Sequence, residues 1–372
     1  MSDVKGGVEQ LLIQIFRNID KTKIHFDFLS LFPVCAYEEE LLQAGSSVFH
    51  ITRRGENPIR SRRELKAFFQ SHRDTYQYIW IHMSSASHCA PNIYARKYTQ
   101  AKIISHSHGT SFECRGKLAH WIHLFLHKNN REKFLRATDY CFACSTEAGR
   151  WLFGNQDRHV YTIKNAIETE KFQYDPEVRQ QMKDELDLNG YTVFGHVGRF
   201  TEIKNHKFLL EIYAEIFKKN SQTCLLLVGE GELLEEMKEK ASALGLSKQV
   251  FFAGFRPDFN CLLQAFDVLL LPSFSEGFPV SVVEAQAGGV PCLISDTITR
   301  EVQVTSLVEY ESLDAPASLW ADRALEAARR NEDCERSAYA AEMKEKGYNI
   351  KDTAAWLEEF FEKHLWEEVD ED

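Results

Sequence analysis

Two glutamates, Glu276 and Glu284, stand eight positions apart across the break Gly277-Phe278-Pro279. The apolar run Val268 to Leu271 precedes them and reads as a buried strand. Pro279 to Ala287 follows and reads as a helix, with Pro279 suited to its first turn and Gly288-Gly289 to its end. A continuous apolar strand feeding a helix through a short turn points to an α/β fold, with parallel sheets covered on both faces. Glu276 and Gly277 then sit at a helix N-terminus, where free backbone N–H groups and the positive end of the dipole favour an anion. A carboxylate placed there is no phosphate ligand. It is suited to accept hydrogen bonds from hydroxyls on the molecule that carries the phosphate. Glu284 lies about two turns along the same helix, on or near the same face.

The positive charges such a ligand needs lie upstream. Phe194 to Arg199 reads as a strand ending in a loop, and Phe200 to His206 leads into a helix over Phe208 to Phe217. Arg199 and Lys204 therefore flank one strand-to-helix turn. Arg forks onto two phosphate oxygens and Lys adds a point charge. Taken alone, each would be an ordinary surface cation. Their place at the first turn of the same α/β unit favours a binding role. A ligand with a phosphate in its middle and hydroxyls on both sides has the shape of a nucleotide sugar.

Four motifs occur in order: Val197-Gly198-Arg199 with Lys204-Asn205, Leu227-Val228-Gly229-Glu230-Gly231-Glu232-Leu233, Phe252-Ala253-Gly254-Phe255-Arg256-Pro257-Asp258, and Pro272-Ser273 with Glu276-Gly277 and Glu284-Ala285. Together they resemble the donor domain of family 4 glycosyltransferases of the GT-B fold. The continuation Glu284-Ala285-Gln286-Ala287-Gly288-Gly289, with Ser295 to Val302, is similar to bacterial capsule and exopolysaccharide transferases. The likeness runs through nearly the whole chain and is strongest from about 190 to 314. It implies two Rossmann-like βαβ domains facing across a cleft. Two positions depart from the family pattern. Gly6-Gly7 follows Met1 by only five residues, so the strand expected before it is missing or truncated. Ala166 and Glu168 stand where the family has Gly and Asp, and Gly allows a left-handed turn that Ala disfavours.

At 372 residues the chain suits two domains. No apolar run approaches the length that spans a membrane, and no signal peptide is evident. The nine cysteines are scattered and read as reduced and mostly buried. Cys141-Phe142-Ala143-Cys144 has redox-type spacing but lies inside an apolar run, which favours a packed strand over a redox or zinc site. The charge divides unevenly: 23 Lys+Arg and 15 Asp+Glu up to residue 165, then 21 and 40, within a total of −11. The basic excess lies between Arg53 and Arg136, through Arg54, Arg60, Arg62, Arg63, Lys66, Arg73, Lys128, Arg131 and Lys133. Trp121, Ile122, Leu124, Phe125, Leu126, Phe134 and Leu135 interleave its later part. Such a surface suits an anionic partner. No nucleic-acid motif is present, and an anionic membrane fits better, at roughly 1 kcal/mol per well-placed cation.

Strands are expected at Ile24 to Leu31, Tyr78 to His82, Lys102 to Ser105, Tyr140 to Cys144, Val160 to Ile163, Val193 to Val197, Cys224 to Val228, Val250 to Phe252, Val268 to Leu271 and Cys292 to Ser295. The spacing of Val8, Leu11, Leu12, Ile15 and Ile19 predicts an opening helix. We expect an acceptor-binding domain over 1–168 and a donor-binding domain over 185–348. The polar stretch Asn165 to Tyr191 joins them, and 349–372 holds a helix that, by resemblance, crosses back, followed by a frayed acidic tail.

The resemblance assigns Arg199 and Lys204 to the diphosphate, Glu276 to donor-sugar hydroxyls and Glu284 to the ribose. Backbone at Gly277, Phe278 and Val280 approaches phosphate and sugar, and Gly229, Glu230, Phe255 and Arg256 edge the base pocket. His106 and His108, at a strand end in the first domain, are candidates for contacting the reacting sugar, and which one acts stays open. No third ligand of matching spacing accompanies this pair, so no metal site is expected. Gly6 and Gly7 are candidates to cradle phosphate. The sole Asp-x-Asp, Asp370 to Asp372, lies in the tail, so metal-independent catalysis without a cofactor is expected. A glycosidase-style use of the two glutamates would need them facing each other across a bond. The implied activity is retaining transfer of a hexosyl or N-acetylhexosaminyl unit from a nucleotide sugar, UDP-linked by expectation. The acceptor is a lipid-linked oligosaccharide on the cytoplasmic face of the plasma membrane. A nucleotide-sugar epimerase and an inactive nucleotide-binding partner subunit are the alternatives.

Overall fold

Short apolar runs become parallel strands, and the reason is visible in β-strand burial on both faces. The computed structural model describes residues 6–109, 117–154, 158–332 and 335–365. The tail expected to fray, with Asp370 and Asp372, and the residues ahead of Gly6 lie outside them. The chain divides into two units, one of residues up to Ala166 together with those from Ile350 onward, the other Ile167–Asn349.

In the first unit β1 (Phe28–Ser30) and β2 (Val48–His50) form one parallel pair. A separate parallel sheet holds β3 (Tyr78–Met83), β4 (Lys102–Ser107), β5 (Tyr140–Ala143) and β6 (Val160–Thr162), in that order. Among the described residues no strand joins the two sheets. The helix Gly7–Asn18 buries Leu11, Ile13, Ile15 and Phe16. The last helix, Ile350–Leu365, lays Leu357, Phe360 and Phe361 into the same core as Leu11, Ile15, Ile104 and Phe142. That helix changes the charge picture. Residues from 350 on bring 2 Lys+Arg and 9 Asp+Glu, so the basic excess is a local feature and not a property of the whole unit. Cys141 lies within β5, and the seven cysteines among the described residues are all free.

The second unit is a six-stranded parallel sheet of β7 (Thr192–Val197), β8 (Thr223–Val228), β9 (Val250–Gly254), β10 (Val268–Leu271), β11 (Cys292–Ser295) and β12 (Val308–Glu311). Their order across the sheet is β12-β11-β10-β7-β8-β9. Alternate residues of β10 serve two cores. Val268 and Leu270 pack with Leu209, Tyr213 and Trp320, while Leu269 and Leu271 pack with Val282, Val283 and Ile294. A strand buried on both faces must be apolar throughout, which is why Val268–Leu271 is legible as a continuous run. Asn165 to Tyr191 carries the helices Thr169–Phe172 and Pro176–Glu185, and Phe172, Met182 and Leu188 are buried in this unit. Asp175 caps the second of these, accepting from the amides of Glu177 and Val178. Ala166 causes no strain, because Asp187 and Asn205 are the positive-φ residues other than glycine among those described.

Strand order decides where a ligand can lie. The chain runs outward from β7 through β8 to β9, then returns to place β10 on the other side of β7. The loops after β7 and β10 therefore part in opposite directions, leaving a crevice beyond their carboxyl ends.

Candidate functional site

Both loops at this crevice carry residues singled out in the sequence. After β7 come Gly198 and Arg199, a single 3-10 turn at Glu202–Lys204, and Asn205 in the left-handed region at φ 54°. After β10 the chain runs through Glu276 and Gly277 into the helix Val280–Ala287, with Pro279 at its N-cap. Two hydrogen bonds tie the loops together. Asn205 Nδ2 donates to the Pro272 carbonyl at 3.1 Å, and the Phe274 amide donates to the Ile203 carbonyl at 2.8 Å.

Lys204 and Glu276 meet directly. Lys204 Nζ stands 2.7 Å from Glu276 Oε1, and the two side chains keep only 19% and 13% of their surfaces exposed. The contact is an ion pair without hydrogen-bond alignment, since that same oxygen is enclosed and has no hydrogen-bond donor. The two residues, expected on different parts of one ligand, hold each other. Other enclosed polar atoms without partners lie nearby: His196 Nε2, both ring nitrogens of His206, and Ser273 Oγ. His196 Nδ1 lies 2.8 Å from the Leu270 carbonyl, and the His206 ring stacks on Phe200 at 4.2 Å. Burial, aided by the Lys204 ammonium, pushes His206 down to about 4. Burial first, then His206 and Lys204, holds His196 well below the usual imidazole range. Neither histidine was anticipated; both lie at the ends of elements that flank Lys204.

Arg199 is exposed, and among the described residues its guanidinium has no hydrogen bond or ion pair. Glu284 lies midway along the helix Val280–Ala287, half-buried, with its carboxyl pushed up to about 7 by burial while the Lys171 ammonium opposes. Gly277 is exposed, and a Cβ built on it would meet nothing within 4 Å, so the space beside it is open. Phe278 and Val280 are half-buried against the core behind the helix start. Gly229 is required by close approach: at φ 141° a Cβ would come 2.1 Å from the Gly198 carbonyl oxygen. The Glu230 carbonyl accepts from the Phe200 amide at 2.9 Å, so the β8 loop braces the β7 loop, with the Glu230 side chain exposed. Phe255 is 68% exposed beside them. Arg256 is committed within the protein, its guanidinium bonded to Asp258 at 2.7 and 2.6 Å and to Glu185 at 2.9 Å.

In the first unit His106 ends up inside β4 and His108 just beyond it. A third imidazole joins them. His82 lies on β3 directly opposite His106, and one ring nitrogen from each of the three lies within 4.8 Å of the other two. His82 is adjacent to this pair through the sheet and not along the chain, so no spacing in the sequence marks it. Burial keeps all three neutral; it pushes His108 down to about 3 and the other two well below the usual range. Gly6 caps the helix Gly7–Asn18, but a Cβ on it would be 2.9 Å from Glu9 Oε2.

Residues 178–343 match the family described as Glycosyl transferases group 1. EpsF of Bacillus subtilis (strain 168), named as a glycosyltransferase, is 33% identical over 332 residues, which is 87% of this chain and 85% of EpsF. The UDP-Gal:alpha-D-GlcNAc-diphosphoundecaprenol alpha-1,3-galactosyltransferase of Escherichia coli is 30% identical over 168 residues, 42% of this chain and 43% of that protein. The fold is that of Anabaena HepE, solved in complex with UDP-glucose, with a TM-score of 0.74 at 17% identity and 98% of each chain covered.

Proposed function

This chain belongs to the group 1 glycosyl transferases, has the GT-B fold and is related to bacterial capsule and exopolysaccharide enzymes, and from that premise we propose retaining transfer of a hexosyl or N-acetylhexosaminyl unit from a UDP-sugar to a lipid-linked oligosaccharide. The observation that carries the reading is the Lys204–Glu276 pair at the crevice between β7 and β10, with Arg199 exposed on the same β7 loop. As the sugar–phosphate bond breaks, negative charge builds on the diphosphate. Donor binding draws Lys204 from Glu276 to the diphosphate and Arg199 forks onto the phosphate oxygens, so both cations are in place when the bond breaks. The released Glu276 carboxylate accepts from hydroxyls of the donor sugar, and Glu284 accepts from the ribose. Amides at the start of the helix Val280–Ala287 face the phosphate. Two side-chain cations supply the charge that a metal would otherwise bring, so the transfer needs no divalent ion. Of His106 and His108, the half-buried His108 is the candidate to contact the sugar, since His106 is enclosed.

A lipid-linked acceptor is supported by the Escherichia coli relative, whose name describes transfer from UDP-Gal to a diphosphoundecaprenol-linked sugar. It is supported again by the helix Lys117–Arg136. Leu118, Trp121, Ile122 and Phe125 recur there at helical spacing and are 75%, 68%, 51% and 66% exposed. The stretch from Arg53 to Arg136 holds 16 Lys+Arg against 5 Asp+Glu. An apolar face beside a basic field suits peripheral attachment to an anionic membrane, here the cytoplasmic face. No described helix is long and apolar enough to cross one.

The test is calorimetric titration with UDP and GDP, with and without Mg²⁺, on the wild type, Arg199→Ala and Glu284→Ala. UDP binding that ignores Mg²⁺ and weakens at least tenfold in both variants is expected. Binding of neither nucleotide by a folded protein would sink the donor site.

A further inference from the structure

The transfer reading uses the first-unit histidines only in part. β3 and β4 pair with His82 opposite His106, and His108 follows two residues later on the same side. His82 Nδ1 and His108 Nε2 are 2.8 Å apart. His106 is fully enclosed, and neither of its ring nitrogens has a partner. Trp80 stacks nearly parallel on His106 at 5.7 Å, and Phe142 meets its edge at 6.1 Å. The cluster is thus three imidazoles, no carboxylate among them, converging within an aromatic wall. One hydrogen bond between His82 and His108 leaves His106 unsatisfied, although a buried polar ring in a finished protein has partners.

We propose that His82, His106 and His108 form a binding site for a divalent transition metal, with Zn²⁺ the best fit, and that loading it blocks transfer. Tetrahedral zinc holds imidazole nitrogens at about 2.0–2.1 Å, which sets them about 3.3 Å from one another. The separations here, from 2.8 Å to within 4.8 Å, bracket that value, so small side-chain rotations complete the site. The metal replaces the His82–His108 hydrogen bond: the ring that donates there moves its proton to its other nitrogen, so both present a lone pair, and His106 gains a partner. Three histidines leave the fourth position to water. Imidazole ligands favour zinc, cobalt, nickel and copper over magnesium and calcium. Inhibition rests on the proposed transfer: a metal-bound imidazole has no lone pair left for a sugar hydroxyl.

The experiment titrates the full chain with CoCl₂, reading the visible d–d absorption of cobalt, then displaces it with ZnCl₂, with MgCl₂ as control. Stoichiometric cobalt with a tetrahedral spectrum, displaced by zinc and untouched by magnesium, is expected. His82→Phe should weaken binding at least tenfold, and His82→Gln serves if the phenylalanine variant misfolds by circular dichroism. Cobalt that stays six-coordinate, or equal affinity in the wild type and a folded His82 variant, overturns the site. In the same samples zinc should inhibit sugar transfer by the wild type at least tenfold. Zinc bound without inhibition overturns the blocking role alone. UDP binding, measured separately, reports on the donor site and fails independently of the metal.

Discussion

Glu284 makes a claim whose sign and size can both be checked. Burial pushes its carboxyl up to about 7 from an ordinary 4.5. The folded chain therefore holds this proton to a higher pH than the unfolded chain does. The group costs nothing below about pH 4.5, and stability falls as pH rises through 7. A shift of about 2.5 pH units corresponds to about 3.4 kcal/mol at 1.36 kcal/mol per unit. Part of the residue remains open to solvent, so about 2 kcal/mol is the expected effect. Glu284→Gln keeps the shape and removes the charge. At pH 8 it should melt about 4–8 °C above the wild type, the shift for about 2 kcal/mol in a unit of this size. Near pH 4.5 the difference should vanish. Scanning calorimetry at both pH values decides, and an equal shift at both would refute the burial argument. Function should move the other way. On the proposed ribose contact the ionised form is the better acceptor, so wild-type affinity for UDP should fall as pH drops below 7, toward that of the glutamine variant. The glutamine variant should bind weakly without that dependence. Wild-type affinity that stays flat from about pH 5 to 8 would remove Glu284 from the ribose contact.

Other expectations follow from single contacts. Lys204→Met leaves Glu276 enclosed and unpaired, costing about 3 kcal/mol in urea unfolding, and adding Glu276→Gln should restore most of it. Gly229→Ala forces a Cβ to 2.1 Å from the Gly198 carbonyl at φ 141°, so it should abolish UDP binding by calorimetry and cost about 3 kcal/mol or more. Trp121→Ser with Phe125→Ser should leave melting temperature and UDP affinity unchanged while cutting sedimentation with phosphatidylglycerol vesicles at least tenfold; unchanged sedimentation would refute the membrane role of that face.

The limits of sequence reading follow from which forces act along the chain and which act across it. Val268–Leu271 and Cys292–Ser295 are legible because both faces of a central strand demand apolar residues. Val308–Glu311 escapes because it is an edge strand, and its Val-Glu-Tyr-Glu alternation resembles a loop unless half-exposure is allowed. Val48–His50 escapes for its brevity and its exposure. Ile24 to Leu31 shrinks to Phe28–Ser30 since β1 has a partner on only one side. At the site, turn chemistry places Lys204 and Glu276 in loops beside helix starts. That they touch depends on β10 lying next to β7. The approach of His82 to His106 depends likewise on the register of β3 with β4.

The order of strands also fixes when the donor crevice can exist during synthesis. Lys204 and Glu276 are 72 positions apart, and β8 and β9 are made before β10. A nascent chain ending after β9 has one side of β7 unpaired, an open strand edge that invites misassembly. β10 closes that edge and completes the crevice in one event. A ligand of the crevice therefore recognises the sheet once β10 has joined it and no earlier intermediate. By mass action, a nucleotide at a hundred times its dissociation constant adds about 2.7 kcal/mol to that finished state. A nucleotide bound in the crevice would thus stabilise its binding unit once folded, without guiding the chain there.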